Sequence, residues 1–228
     1  MDFNSEIESY CLGTSITLEC LLHKPEHMTK IVISSKAIKN KELDKLLELS
    51  NMHNIPIIYD DDIISHYSLK ENCYCIGFFN RYSTVLSADR HIVCYGFKDI
   101  GQLGTIFRSA VSFNFRDIAL INTDIDYFDP RVVRSSMGAL FLLSVASYNS
   151  LEEYISEYEH NIYCFNTTNV NELSSLKPVT PYSIILSEDQ SLLNDKFKDG
   201  YYIKHKGNDL SLSALSSIVF NYCYEKGV

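Results

Sequence analysis

Arg108 carries a planar, permanently charged guanidinium, a group that grips a phosphate through two parallel hydrogen bonds. Arginine stays protonated in proteins, so such a group holds an anion but does not abstract a proton. Six residues earlier stands Gln102, whose amide offers a donor and an acceptor together. Both lie in the stretch DIGQLGTIFRSAVSFNFR, residues 99–116. Gly101 and Gly104 remove side chains there, so a ligand or another backbone can come close. Four of the six arginines, Arg108, Arg116, Arg131 and Arg134, fall within the 27 residues 108–134. That cluster reads either as a phosphate-binding patch or as the solubilising face of ordinary helices.

These residues need elements to hold them. Asp99 has the right side chain to cap a helix, and Leu103, Ile106, Phe107, Ala110 and Val111 recur at helical spacing on one face. Asn114 suits a left-handed C-cap. Residues 118–121, Ile-Ala-Leu-Ile, read as a buried strand. Asp129-Pro130 reads as N-cap and first helical position of a helix continuing through PRVVRSSMGALFLL. Ser135, Ser136, Gly138 and Ala139 are small enough to admit another backbone. Ser150 to Glu153 is a capping box, and Ser211 caps a last helix carrying Leu212, Leu215, Ile218, Val219 and Tyr222.

Upstream, residues 1–29 read as helical with a break at Gly13. Strands follow at 30–34, 55–59 and 73–79, with helices at 40–51 and 60–67 between them. The run Asp60-Asp61-Asp62 reads as helix capping rather than a metal site, because neighbouring residues on a helix point apart. Further strands fall at 91–96, 161–165, 183–186 and 201–203. Alternating strands and helices predict an α/β protein with a mostly parallel sheet covered on both faces. The domain reading is 1–80, a polar linker 81–90, and 91–228.

The net charge of −9 argues against a surface that coats nucleic acid broadly, though it leaves room for one basic patch. Seven cysteines lack zinc-ligand spacing and read as free, mostly buried thiols of a cytoplasmic protein. No signal peptide is visible, and the longest apolar run, 137–146, is too short to span a bilayer. Gly96, Gly101 and Gly104 lack the G-x-G-x-x-G spacing of a dinucleotide fold.

Two segments resemble one family. Asp99, Gly101, Leu103, Gly104, Thr105, Ile106, Arg108 and Ala110 fit the pattern D-P-G-N-L-G-T-I-x-R-T-A, the first signature of SpoU (TrmH-type) RNA ribose 2′-O-methyltransferases. Residues 129–139, DPRVVRSSMGA, are similar to the family's N-P-K-V-V-R-A-S-M-G-A. A third, weaker match runs through 186–192, 203–207 and 210–216. The resemblance implies a small ribosomal-protein-like RNA-recognition domain at 1–80. It implies a SPOUT α/β domain at 91–228 whose C-terminus forms a trefoil knot. It further implies S-adenosylmethionine as cofactor, rRNA or tRNA as substrate, and a homodimer through the knotted domain. By the same resemblance, Arg108, Gln102 and Ser213 are catalytic. Leu186, Ser187, Glu188, Ile203, Gly207, Leu212 and Ser213 hold the cofactor, and Arg108, Arg131 and Arg134 contact RNA. Gln102 and Ser213 stand where the family has Asn, and Ser187 and Gln190 where it has loop glycines. A second reading therefore stays open: a family member that binds RNA or protein as a dimer without methylating.

Overall fold

The computed structural model describes residues 4–68, 72–165, 171–189, 191–194, 196–197, 200–206 and 210–227. The chain begins β1 (Glu8–Leu12), α1 (Thr14–His23), β2 (Met28–Ile33), α2 (Lys41–Met52), β3 (Ile57–Tyr59), α3 (Asp61–Tyr67) and β4 (Cys75–Asn80). It continues β5 (Arg90–Tyr95), α4 (Ile100–Ser112), β6 (Asp117–Ile121), α5 (Pro130–Ser135), β7 (Ser144–Tyr148) and α6 (Leu151–Glu157). Last come β8 (Asn161–Cys164), β9 (Asn171–Glu172), β10 (Tyr182–Ser187), α7 (Ser191–Asn194), β11 (Tyr201–Tyr202) and α8 (Leu212–Glu225). Two units form: Met1–Tyr82 with Asp126–Leu142, and Ser83–Ile125 with Leu143–Val228.

The first unit is built on a four-stranded sheet of order β1-β4-β2-β3. β4 is antiparallel to both neighbours, and β2 and β3 are parallel. The stretch 8–12, expected to be helical, is instead strand β1. Its Ser9 and Cys11 are buried while Glu8, Tyr10 and Leu12 are not, a period of two that a helix cannot bury on one face. Asp60 caps α3 by accepting from the N–H groups of Asp62 and Ile63 at 2.9 Å each. Among the described residues, no group of three or more His, Cys, Asp or Glu could hold a metal.

Asp126–Leu142 belongs with this first unit. The Ser9 hydroxyl donates to the Phe128 carbonyl (2.5 Å), and the Arg81 guanidinium pairs with the Asp126 carboxylate. The helix expected to run through Leu143 stops at Ser135. Met137 (φ 54°) and Gly138 (φ 83°) turn left-handed, and a short 3₁₀ turn follows at Ala139–Leu142. A Cβ on Gly138 would lie 2.7 Å from the Glu19 Cβ on α1. Its small neighbours Ser136 and Ala139 are buried as well, so this run packs inside the unit. It thus supplies no argument for a second copy of the chain. Gly138→Ala combines the cost of a left-handed alanine with that clash, and should destabilise by about 2 kcal/mol. An unchanged urea midpoint would refute this account of the turn.

The second unit is a five-stranded, all-parallel sheet of order β7-β6-β5-β10-β8. The hydrophobic pattern hides β7, because SVASY follows directly on an apolar run that looks like continuing helix. β9 and β11 form a separate two-stranded parallel sheet. The sheet core is Val93, Ala119, Ile121, Ile185 and Cys164, with Leu151 and Tyr154 of α6 packed on it. Ser150 caps α6 by accepting from Glu153 N–H (3.1 Å), and Glu153 returns by accepting from Asn149 N–H (2.7 Å).

A buried polar chain crosses the start of this sheet. His91 Nε2 lies 2.6 Å from the Ser87 carbonyl, which can only accept, so Nε2 carries the proton. Neutral His91 Nδ1 then accepts from the Tyr154 hydroxyl (2.7 Å), which accepts from Ser183 (2.6 Å), which accepts from His160 Nδ1 (2.9 Å). Burial is the main cause holding both histidines below the ordinary imidazole pKa. The folded state therefore takes up protons at lower pH than the unfolded chain, whose imidazoles titrate near about 6.5. Their contribution to stability is complete above that pH and is lost as pH falls below it. The melting temperature should drop between pH 7.5 and 5.5, with a shallower drop in His91→Gln. Equal slopes in the two proteins would show that this chain does not titrate.

Candidate active site

The candidate site lies at the C-terminal edge of the parallel sheet in the second unit. β5 leads through Gly96 (φ 67°) to Asp99, which caps α4 by accepting from Gln102 N–H at 2.9 Å. The positive φ at Gly96 is what favours glycine in this turn; a Cβ there would also displace the tip of the Leu192 side chain. Leu103, Gly104, Ile106, Phe107 and Ala110 are the buried side of α4. Arg108 lies on its exposed side and makes no ion pair among the described residues. Gln102 is half-buried in the first turn, about 9 Å along the helix axis from Arg108.

The neighbouring strand β10 ends at the same edge. Ser187 is buried, and its hydroxyl accepts from Asp189 N–H (3.1 Å). The half-buried Glu188 reaches across to the loop that follows β5. Its carboxylate accepts from Lys98 N–H (3.0 Å) and Asp99 N–H (3.1 Å). This clasp spans β5 and β10, where the strand order reverses: the chain runs from β5 to β6 and β7 on one side and fills β8 and β10 on the other. In open α/β sheets, ligands bind at such a reversal, beyond the carboxyl ends of the strands. Among the described residues, β8 pairs with β10 as far as Ile185, and β10 goes on through Leu186 and Ser187.

α8 brings the last candidates to the same end. The Ser109 and Ser217 hydroxyls meet at 2.9 Å, and the Phe113 and Tyr224 rings at 6.3 Å. Contacts advance together along both helices, so α4 and α8 run in the same direction. Their N-termini therefore lie at one edge. Ser211 caps α8 by accepting from Ala214 N–H (3.3 Å), with half-buried Leu212 and Ser213 in the first turn. Ser213 is one turn before Ser217, whose hydroxyl donates to the Ser213 carbonyl (2.9 Å). Ile203 is half-buried just beyond β11. On α8, the buried side is Leu215, Ser216, Val219, Phe220 and Cys223; Ile218, expected on the apolar face, is 40% exposed.

Gly207 lies outside the described residues. Arg131 and Arg134 belong to the first unit. Arg131 is 74% exposed but forms an ion pair with Asp129 at 2.6 Å, and Arg134 is half-buried. A cavity of about 390 Å³ in the second unit is lined by Asp89, Arg90, Asn114 and Thr180. It opens at the opposite edge, where β5 begins, and contains none of the candidate residues.

Residues 89–190 match the model of the SpoU rRNA Methylase family. Over that segment the chain is similar to the SpoU family. Mitochondrial rRNA methyltransferase 3 of Xenopus tropicalis is 38% identical over 56 residues, 25% of this chain and 14% of that protein. The human protein of the same name is 36% identical over 61 residues, 27% and 14% respectively. The match thus spans about one seventh of those relatives. The SpoU methyltransferase AviRb of Streptomyces viridochromogenes superposes with a TM-score of 0.81 at 13% identity, over 96% of this chain and 89% of that one. The AdoMet-bound rRNA methyltransferase of Sinorhizobium meliloti gives 0.76 at 16% identity, over 96% and 87%. The chain therefore shares the fold of these proteins over 96% of its length.

Proposed function

We propose that this protein is an S-adenosylmethionine-dependent RNA ribose 2′-O-methyltransferase. The observation that carries the reading is the convergence of three family segments at one sheet edge: Asp99 to Arg108, Leu186 to Glu188, and Leu212 with Ser213. The residues fit the cofactor. The Leu186–Ser187 backbone at the end of β10 offers amide groups to an adenine, and Ile203 and Leu212 offer apolar surface. S-adenosylmethionine supplies the methyl group on a sulfonium. The chain's task is to hold a ribose hydroxyl within about 3–3.5 Å of attack geometry and to exclude water. Arg108 grips the phosphate beside that hydroxyl. Asp99 and Glu188 fix the loop from which α4 springs. The 91–228 region carries the C-terminal trefoil knot, and the protein works as a homodimer through it; a monomer mass in light scattering would count against the dimer. All seven cysteines are free thiols, which suits a reducing cytoplasm.

Gln102 and Ser213 favour the second reading, a non-methylating binder, and calorimetry separates the two. Titration with S-adenosylmethionine should give micromolar binding, about −8 kcal/mol. Transfer of a labelled methyl group to RNA should then create a bond resistant to alkali, since a 2′-O-methyl group removes the internal nucleophile. Cofactor binding without transfer to any cellular RNA fraction would leave the binder.

A further inference from the structure

We infer that Thr123 is a positioning residue for methyl transfer, holding the peptide between Phe97 and Lys98 from the side opposite Glu188; the inference rests on the methyltransferase reading above. Thr123 lies outside the three segments that resemble the family. β5 has β6 on one side and β10 on the other. β5 and β6 leave the sheet at the same level. Tyr95 pairs with Ile121, and the residues after them, Gly96 (φ 67°) and Asn122 (φ 50°), are both left-handed. The next residue on each strand then meets the other. The half-buried Thr123 donates its hydroxyl proton to the Phe97 carbonyl at 2.6 Å and accepts from the Ile125 N–H at 3.1 Å. The Ile125 bond closes a local turn. The Phe97 bond joins residues 26 apart in sequence and is not needed for that turn.

A trans peptide is a plane whose C=O and N–H point in opposite directions. In the Phe97–Lys98 peptide the C=O meets Thr123, and the N–H meets Glu188 at 3.0 Å. The plane is therefore gripped at both ends, by the residues that follow β6 and β10. The buried Phe97 ring anchors it in the core. Asp99, the next residue, takes a second bond from its own N–H to Glu188 and caps α4 through the Gln102 N–H. A tilt of the plane is thus passed to the first turn of α4, which carries Gln102, and on to Arg108. With Glu188 alone, the plane can swing about the end that Glu188 holds. Valine has nearly the shape of threonine but neither donor nor acceptor, whereas serine keeps both.

The test uses the full chain, labelled S-adenosylmethionine and, as methyl acceptor, total RNA from cells that lack this protein. Thr123→Val and Thr123→Ala should each lower the single-turnover rate at saturating cofactor about thirtyfold, whereas Thr123→Ser should stay within about threefold of the parent. S-adenosylmethionine affinity, and the RNA concentration that gives half the maximal rate, should move less than about twofold in all three. Thr123→Val/Glu188→Ala is the deciding protein. Because both side chains hold one peptide, its loss of rate should fall at least about tenfold short of the product of the two single losses. Losses that multiply would show two independent roles and overturn the assignment. A valine variant as fast as the parent, a serine variant as slow as the valine one, or a loss of cofactor affinity that accounts for the lost rate would overturn it too. No transfer by the unmodified protein to any RNA fraction would instead sink the methyltransferase reading, and the role of Thr123 with it.

Discussion

Arg108→Ala is expected to lower the single-turnover methylation rate by about a thousandfold, near 4 kcal/mol, with S-adenosylmethionine affinity unchanged. The expectation follows from where the side chain stands. Its helix is fixed by Leu103, Ile106, Phe107 and Ala110 in the core, so truncating an exposed arginine leaves the fold intact. The guanidinium has no ion-pair partner among the described residues, so it is available to a phosphate. A phosphate beside the attacking hydroxyl aligns that hydroxyl only while it is gripped, and misalignment by an ångström is costly in rate. Arg108→Lys should recover less than a tenth of the loss, because an ammonium gives a point charge rather than a planar fork. An equal loss in cofactor affinity would place Arg108 in the cofactor pocket and refute the phosphate role.

Much of this site is legible in the sequence because it depends on local chemistry. Asp99, Ser150 and Ser211 cap their helices through the bonds that their side chains predict, and Asn114 takes the left-handed conformation (φ 62°). What sequence order conceals is partnership. Residues 126–142 lie between strands of the second unit along the chain, yet they pack with the first, because Ser9 and Arg81 supply their hydrogen-bond partners. The same partnership gives the family-like run at Ser135 to Ala139 a use inside one chain. β1 resembles helix in sequence because Gly13 and the leucines after it dominate the hydrophobic pattern. Only its pairing with β4 determines the strand. Charge count also misdirects. Of the arginines clustered in sequence, Arg131 is paired with Asp129 and Arg116 is turned onto backbone carbonyls.

Glu188 links two segments of the candidate site. The family resemblance places it against the cofactor, whereas its carboxylate is engaged by the amides of Lys98 and Asp99. The carboxylate ties the end of β10 to the loop that launches α4, which is the contact expected of a positioning residue. Two charge-assisted hydrogen bonds to backbone N–H groups fix that loop, and with it the cap that sets the direction of Gln102 and Arg108. Glu188→Ala should therefore reduce turnover by about a hundredfold, near 2.7 kcal/mol. Glu188→Gln keeps one acceptor oxygen but loses the charge and should recover part of the rate. The deciding observation is backbone hydrogen exchange at residues 98–103. A clasp predicts faster exchange there in the Ala variant, in step with the lost rate and with RNA affinity held. Unchanged exchange with weakened S-adenosylmethionine binding would return Glu188 to the cofactor pocket. The choice between these outcomes also bears on the missing loop glycines. If β10 is held by a carboxylate clasp, Ser187 can carry a side chain without disturbing the edge, because the clasp and the bond from Asp189 N–H to its own hydroxyl fix the turn.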